Sequence, residues 1–153
     1  MAQRYIHKPY LIDSLKFDLR LYVLLAGCDP LRIFLFNEGL TRLSTEPYRP
    51  PQSTNMNNSF VHLTNYAINK HHEDFQFNET ADKDDIGHKR SLSFFWRHLR
   101  EREKGKVDIP TLKAQINDLI IKTMCAVQPL MANSYRAAQP NDLTNAMAFE
   151  VLG

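Results

Sequence analysis

The sequence predicts an α+β fold: an antiparallel sheet with helices packed on one face. Three observations predict it. Residues 11–25, LIDSLKFDLRLYVLL, alternate apolar and polar side chains with the period of a strand. Two later runs, one within KRSLSFFWRHLRERE and one beginning near Asp108, repeat their apolar residues with helical period. The elements also come in the order strand, hairpin, loop, helices, strand, with no internal repeat.

In the first strand Phe17, Leu19, Leu21, Val23 and Leu25 share one face, which suits a core. Lys16, Asp18 and Arg20 share the other, with Tyr22 beyond them. A solvated outer face is the plain reading of such alternation. Charges of mixed sign within about 14 Å of strand, on a run that is apolar at both ends, point instead to a polar ligand above them. Gly27-Cys28-Asp29-Pro30 then reads as a turn and residues 31–36 as a second strand. Asn37-Glu38-Gly39 reads as a tight hairpin into a third strand, residues 40–44. Residues 46–58, EPYRPPQSTNMNN, are loop by their proline and asparagine content. Residues 60–66 resume extended structure, and the polar stretch 70–87, with ETADKDD at its centre, reads as a mobile surface loop.

The first helix carries Leu92, Phe95, Trp96 and Leu99 as one apolar stripe, and Gly105 ends it. The second opens with Asp108 as cap and Pro110 in its first turn. It should turn Leu112, Ile116, Leu119, Ile120, Thr123 and Val127 inward. The closing residues AMAFEVLG read as one more strand. A chain that begins and ends in apolar strands with little flanking sequence is expected to be a fragment.

With 153 residues the chain supports one core. A net charge of +2 supplies no overall field to drive binding to nucleic acid or a membrane surface. No apolar run approaches the ~20 residues of a membrane span, and the N-terminus lacks a signal-peptide pattern. Cys28 and Cys125, without CxxC spacing, read as reduced, packed thiols of a cytosolic protein. Asn57-Asn58-Ser59 and Asn78-Glu79-Thr80 match the glycosylation spacing but carry no weight without a secretory signal.

His71-His72-Glu73-Asp74 lacks the spacing of metal ligands and reads as solvated loop. The basic run Lys89, Arg90, Arg97, His98, Arg100, Arg102, Lys104 reads as a solvated helix face, one that would also suit an acidic protein partner. There is no Ser-His-Asp order, no GxGxxG and no GxxxxGK[ST]. What remains is a set of polar residues in or beside strands: Lys16, Asp18, Arg20, Arg42, Thr64, Asn65, Tyr66 and Lys89. Two arginines suit bidentate contact with carboxylate or phosphate, and an aspartate suits sugar hydroxyls. The residues by themselves therefore describe a carboxylate- or phosphate-handling site on an antiparallel sheet.

QRYI, LIDSLKFDLRLYVLL, CDPLRIFLFNEGLTR, TEPY, HLTNYAINKHHEDF, GHKRS and FEVLG, in that order, resemble the consecutive motifs of the tubulin tyrosine ligase-like family, polyglutamylase branch. The resemblance covers essentially the whole chain. It implies an ATP-grasp-like fold, of which residues 1–153 would be part of the catalytic domain, with N- and C-terminal portions missing. It implies that Gln3, Arg4, Tyr5 and Ile6 form a hinge along the adenine, and that Lys16, Asp18, Thr64 and Asn65 bind ATP, Asp18 on the ribose side. Arg42, Tyr66, Ala67 and Lys89 would line the site for free glutamate. Arg20 would face the phosphates or an acyl-phosphate and, with Arg42, act in catalysis. No metal ligand is expected within the chain. The Mg²⁺ ligands, an aspartate shortly after FEVLG and a later glutamate and asparagine, would lie beyond Gly153, and phosphate-binding lysines before Met1.

The implied activity is ATP-dependent addition of glutamate to glutamate side chains of tubulin tails through an acyl-phosphate. The implied partners are tubulin and microtubules, without nucleic acid or membrane, in the cytoplasm and cytoskeleton, cilium and basal body included. His88 stands where relatives usually carry serine and Ala148 where they usually carry cysteine. The missing ends imply that the isolated chain is inactive. A rival reading is a non-catalytic tubulin-binding remnant that docks acidic tails through its basic helix.

Overall fold

A computed structural model describes residues 3–78, 83–145 and 147–153, so residues 79–82 of the expected polar loop, and Thr80 of one glycosylation pattern, lie outside it. The strands are β1 (Leu11–Ile12), β2 (Leu15–Cys28), β3 (Leu31–Leu43), β4 (Lys89–Ser91) and β5 (Glu150–Leu152). The helices are α1 (Ser59–His62), α2 (Tyr66–Asn69), α3 (Leu92–Glu103) and α4 (Ile109–Ala138). The predicted α+β class with an antiparallel sheet holds. The chain forms two compact units, Met1–Arg20 with Gly39–Phe95, and Leu21–Glu38 with Trp96–Gly153, and β2 and β3 contribute to both.

In the first unit the strands lie in the order β1-β2-β3-β4. The expected single strand over residues 11–25 is in fact two. Leu11 pairs with Lys16 and Ile12 with Leu15, around a two-residue turn in which Asp13 and Ser14 have φ of 51° and 67°. Two successive left-handed residues make the tight turn whose twist matches a hairpin, and aspartate tolerates that conformation better than most residues. The expected hairpin at Asn37-Glu38-Gly39 does not form, because β3 runs unbroken from Leu31 to Leu43. Gly39, Thr41 and Leu43 are buried alternately along it, the period of a continuous strand. Glu38 separates the asparagine from the glycine, so the adjacent Asn-Gly pair that favours a two-residue hairpin turn is lacking.

Residues 60–66, expected to be extended, form most of α1, a linker and the start of α2. Asn58 caps α1 by accepting a 3.0 Å hydrogen bond from Phe60 N, which turns the chain before a strand can begin. The core of this unit contains Ile12, Leu43, Val61, Leu92, Phe94 and Phe95.

The start of α3 is set by Ser91, whose hydroxyl accepts from Phe94 N at 2.8 Å. Of its predicted stripe Leu92, Phe95 and Leu99 are buried and Trp96 is half-buried. The helix stops where Lys104 and Gly105 turn left-handed, at φ 44° and 85°.

In the second unit β5 pairs antiparallel with β2, Leu24 opposite Val151. Asp108 caps α4 by accepting from Thr111 N at 3.2 Å, with Pro110 in the first turn, as predicted. The inward row differs from the prediction. Met124 and Ala132 are buried, and Leu112, Ile116 and Ile120 half-buried, whereas Thr123 is exposed, Leu119 is 67% exposed and Val127 42%. Leu119, Ile120 and Ile121 in succession make this helix apolar on several sides, so periodicity does not choose the buried row and packing does. Cys28 is buried and Cys125 is exposed, so only the first is packed as expected; both are free thiols. Among the described residues no helix is long and apolar enough to cross a membrane.

Two glycines in left-handed backbone give contrasting expectations. At Gly87 (φ 81°) an added Cβ would lie 2.5 Å from Asn78 Oδ1 and 2.8 Å from the Gln76 carbonyl oxygen. At Gly105 (φ 85°) it would meet nothing within 4 Å. Gly105→Ala should cost about 1 kcal/mol from the backbone alone, and Gly87→Ala about 2–3 kcal/mol because the clash adds to it. Urea denaturation of the two variants checks the order; equal losses would show that the space around Gly87 relaxes.

Candidate active site

β2 presents Lys16, Asp18 and Arg20 on one face, and β3 beside it brings Arg42 to Asp18. The Asp18 carboxylate accepts from Arg42 Nε at 2.8 Å and from Arg42 Nη2 at 2.5 Å, a bidentate fork from β3 to β2. Arg42 lies directly opposite Lys89 in the β3–β4 ladder, so their side chains leave the same face. Asp18, Arg42 and Lys89 thus form a row across three strands. Arg20, half-buried, follows Asp18 along the same face of β2.

Lys16 anchors the other side. Its Nζ donates to the His62 carbonyl oxygen at 2.8 Å and lies 4.2 Å from the centroid of the Tyr5 ring. Burial lowers the pKa of this amine, and the nearby Asp18 charge partly opposes that. Tyr5 shares a 2.9 Å hydrogen bond with His62 Nδ1. Burial, and then the hydrogen bond and charge of Tyr48, push the Tyr5 phenol up to about 12. Tyr48 also donates to the His7 carbonyl oxygen at 2.8 Å. The N-terminal segment is therefore held through the Tyr5 hydroxyl and the His7 carbonyl, with residues 3–8 all exposed.

Thr64 and Asn65 occupy the linker between α1 and α2, Thr64 buried and Asn65 exposed. Asn69, 1% exposed, holds this linker in place. Its Oδ1 accepts from Thr45 N and Thr45 Oγ1 at 2.9 and 2.7 Å. Its Nδ2 donates to the carbonyls of Leu63 and Asn65 at 2.9 and 3.1 Å. All four hydrogen-bonding positions of the amide are used. Tyr66 and Ala67 form the exposed first turn of α2. The Tyr66 ring meets Phe75 and Phe77 edge-on at 5.9 and 6.5 Å between centroids, and Lys89 Nζ lies 5.5 Å from its centroid.

Arg90, read in sequence as part of a solvated basic run, is instead 9% exposed. It lies opposite Thr41 in the β3–β4 ladder, on the other face from Lys89. It bonds Asp13 at 2.7 Å and the Gly87 carbonyl at 3.0 Å, and covers Phe94. His62, Asn69, Tyr48 and the Asp13–Arg90 pair are the residues that reading the sequence missed. Asn69 carried one signal: an asparagine four residues after Asn65, at the end of a short turn, is placed to bond back to it.

This α+β protein thus sets a half-buried amine, a forked arginine–carboxylate pair and a further lysine on one sheet face, groups of the kind that bind carboxylate and phosphate. The model of the tubulin-tyrosine ligase family matches residues 1–153, and the chain belongs to that family. It is 50% identical over 153 residues to a probable beta-tubulin polyglutamylase of Tetrahymena thermophila. It is 43% identical over 155 residues to tubulin polyglutamylase TTLL7 of Xenopus tropicalis, and 42% identical over 153 residues to tubulin polyglutamylase TTLL6 of Homo sapiens. The whole chain is matched each time, but it spans only 13% of the first relative and 16% of each of the other two.

Proposed function

We propose that this chain carries part of the active site of an ATP-dependent ligase that adds glutamate to glutamate side chains of tubulin tails, on an ATP-grasp-like fold. The observation that carries this reading is the row Asp18, Arg42, Lys89, with Lys16 and Tyr5 beside it. Membership of the family and similarity to polyglutamylases support it. The work would take place on microtubules, in the cytoplasm or a cilium.

The residues fit ATP as follows. Arg42 occupies two of the roughly four acceptor positions on Asp18, which leaves capacity for ribose hydroxyls. Tyr5 and the residues around it would flank the base, Thr64 and Asn65 would complete the nucleotide contacts, and Lys16 and Arg20 would face the phosphates. When bound, ATP supplies the phosphoryl group that activates the acceptor carboxylate. Arg42, Tyr66, Ala67 and Lys89 would hold free glutamate so that its amine, uncharged, faces the activated carbon. Arg20 and Arg42 would offset negative charge as the carboxylate is activated. Mg²⁺ is a different case. Among the described residues no three histidine, cysteine or acidic groups come together that could hold it.

The enzyme of whose active site this chain is part, purified and supplied with microtubules, ATP and labelled glutamate, should incorporate label into the tubulin tails, whereas residues 1–153 alone should incorporate none. Asp18→Ala should weaken ATP binding about tenfold or more, the loss of one charge-assisted contact. Its melting temperature should hardly move, because Asp18 and Arg42 side chains are 39% and 22% exposed and such pairs contribute little to folding. A large fall in melting temperature with ATP affinity intact would make this row of charges structural.

A further inference from the structure

We infer that Lys70 is a further carboxylate-binding residue of this site, acting with Lys89 beside the ring of Tyr66. The inference rests on the glutamate reading above. Clamping a dicarboxylate takes two cationic groups, and the resemblance supplies Arg42 and Lys89. The structure commits Arg42 Nε and Nη2 to Asp18, so much of its charge is already compensated inside the protein.

Lys70 brings a second amine to the same place. Its Nζ lies 5.7 Å from the Tyr66 centroid, beside the 5.5 Å of Lys89 Nζ. The two amines come from different elements: Lys89 from the rung it shares with Arg42, Lys70 from the end of α2, one helical turn beyond Tyr66. The ring meets Phe75 and Phe77 edge-on, and Phe75 is itself stacked on His88 at 5.3 Å. Two ammonium groups beside one ring repel each other, and an anion that both can reach relieves that repulsion. Lys70 caps α2 through its main-chain N–H, which donates to the Tyr66 carbonyl at 3.0 Å, but a helix of four residues has little dipole for its amine to offset. A carboxylate is the anion that fits, because an amine bonds it more strongly than it bonds an exposed aromatic face.

The test is equilibrium binding of L-glutamate, L-glutamine and ATP to the full chain and to its Lys70→Gln, Lys70→Arg and Lys89→Gln variants. Lys70→Gln should weaken glutamate binding roughly tenfold, the scale of one charge-assisted contact, with ATP affinity unchanged. Lys70→Arg should retain most of the affinity. If Lys70 holds the side-chain carboxylate, the preference for glutamate over glutamine collapses in Lys70→Gln. If it holds the α-carboxylate, both amino acids weaken together. Either result supports the proposal. Unchanged glutamate binding in Lys70→Gln, with a loss in Lys89→Gln, overturns the role of Lys70 alone. No effect in either variant, or no glutamate binding by the unaltered chain, overturns the glutamate reading as well.

Discussion

Replacing Asn69 with leucine should destabilise the first unit by about 3–5 kcal/mol, from the cost of leaving several buried polar groups without partners. Leucine matches the amide in size but can neither accept from Thr45 nor donate to Leu63 and Asn65. The main-chain N–H and hydroxyl of Thr45, a residue 7% exposed, would lose their acceptor. The carbonyls of Leu63 and Asn65 would lose a donor, although that of Asn65 also accepts from Ile68 and Asn69 main-chain N–H groups. Asn69→Asp keeps the acceptor but sets a second oxygen against the two carbonyls and buries a carboxylate, so it should cost at least as much as leucine. Denaturant midpoints for the two variants measure this directly. A loss below about 1 kcal/mol in the leucine variant would mean that water reaches the linker and replaces the amide.

On the proposed function, and measured in the enzyme of which this chain is part, Arg42→Lys should lower the specificity constant for glutamate addition about a hundredfold and raise the Michaelis constants for glutamate and for ATP together. Taken from the sequence alone, the same substitution would act on glutamate and leave ATP nearly untouched, because lysine keeps the charge and loses only the fork. The structure changes that expectation. The fork is spent on Asp18, so removing it frees the carboxylate assigned to the ribose and disturbs both substrates at once. The consequence is coupling. Asp18→Asn and Arg42→Lys should be strongly non-additive, with an interaction energy of about 1–3 kcal/mol in a double-mutant cycle on the specificity constant. Additive losses would show that the two residues work separately despite their contact.

Much of this protein follows from local sequence. Alternation along residues 15–25 was enough to put Lys16, Asp18 and Arg20 on one strand face, since successive side chains of a strand point in opposite directions. Asp108 and Gly105 were legible as helix limits because capping and left-handed backbone are properties of single residues. The α+β class and the family resemblance were likewise open to reading, and the family holds over residues 1–153. What tertiary structure decided lies where local preferences are balanced or where partners are distant. β3 continues through Asn37 and Gly39 because that run has no compelling turn, and α4 buries Met124 in place of Leu119 because both rows are apolar enough. Asp18 finds Arg42 across 24 residues, and Asp13 finds Arg90 across 77. No periodicity spans such separations. Strand register brings those charges together, and it also sends Lys89 to the site face and Arg90 to the opposite one.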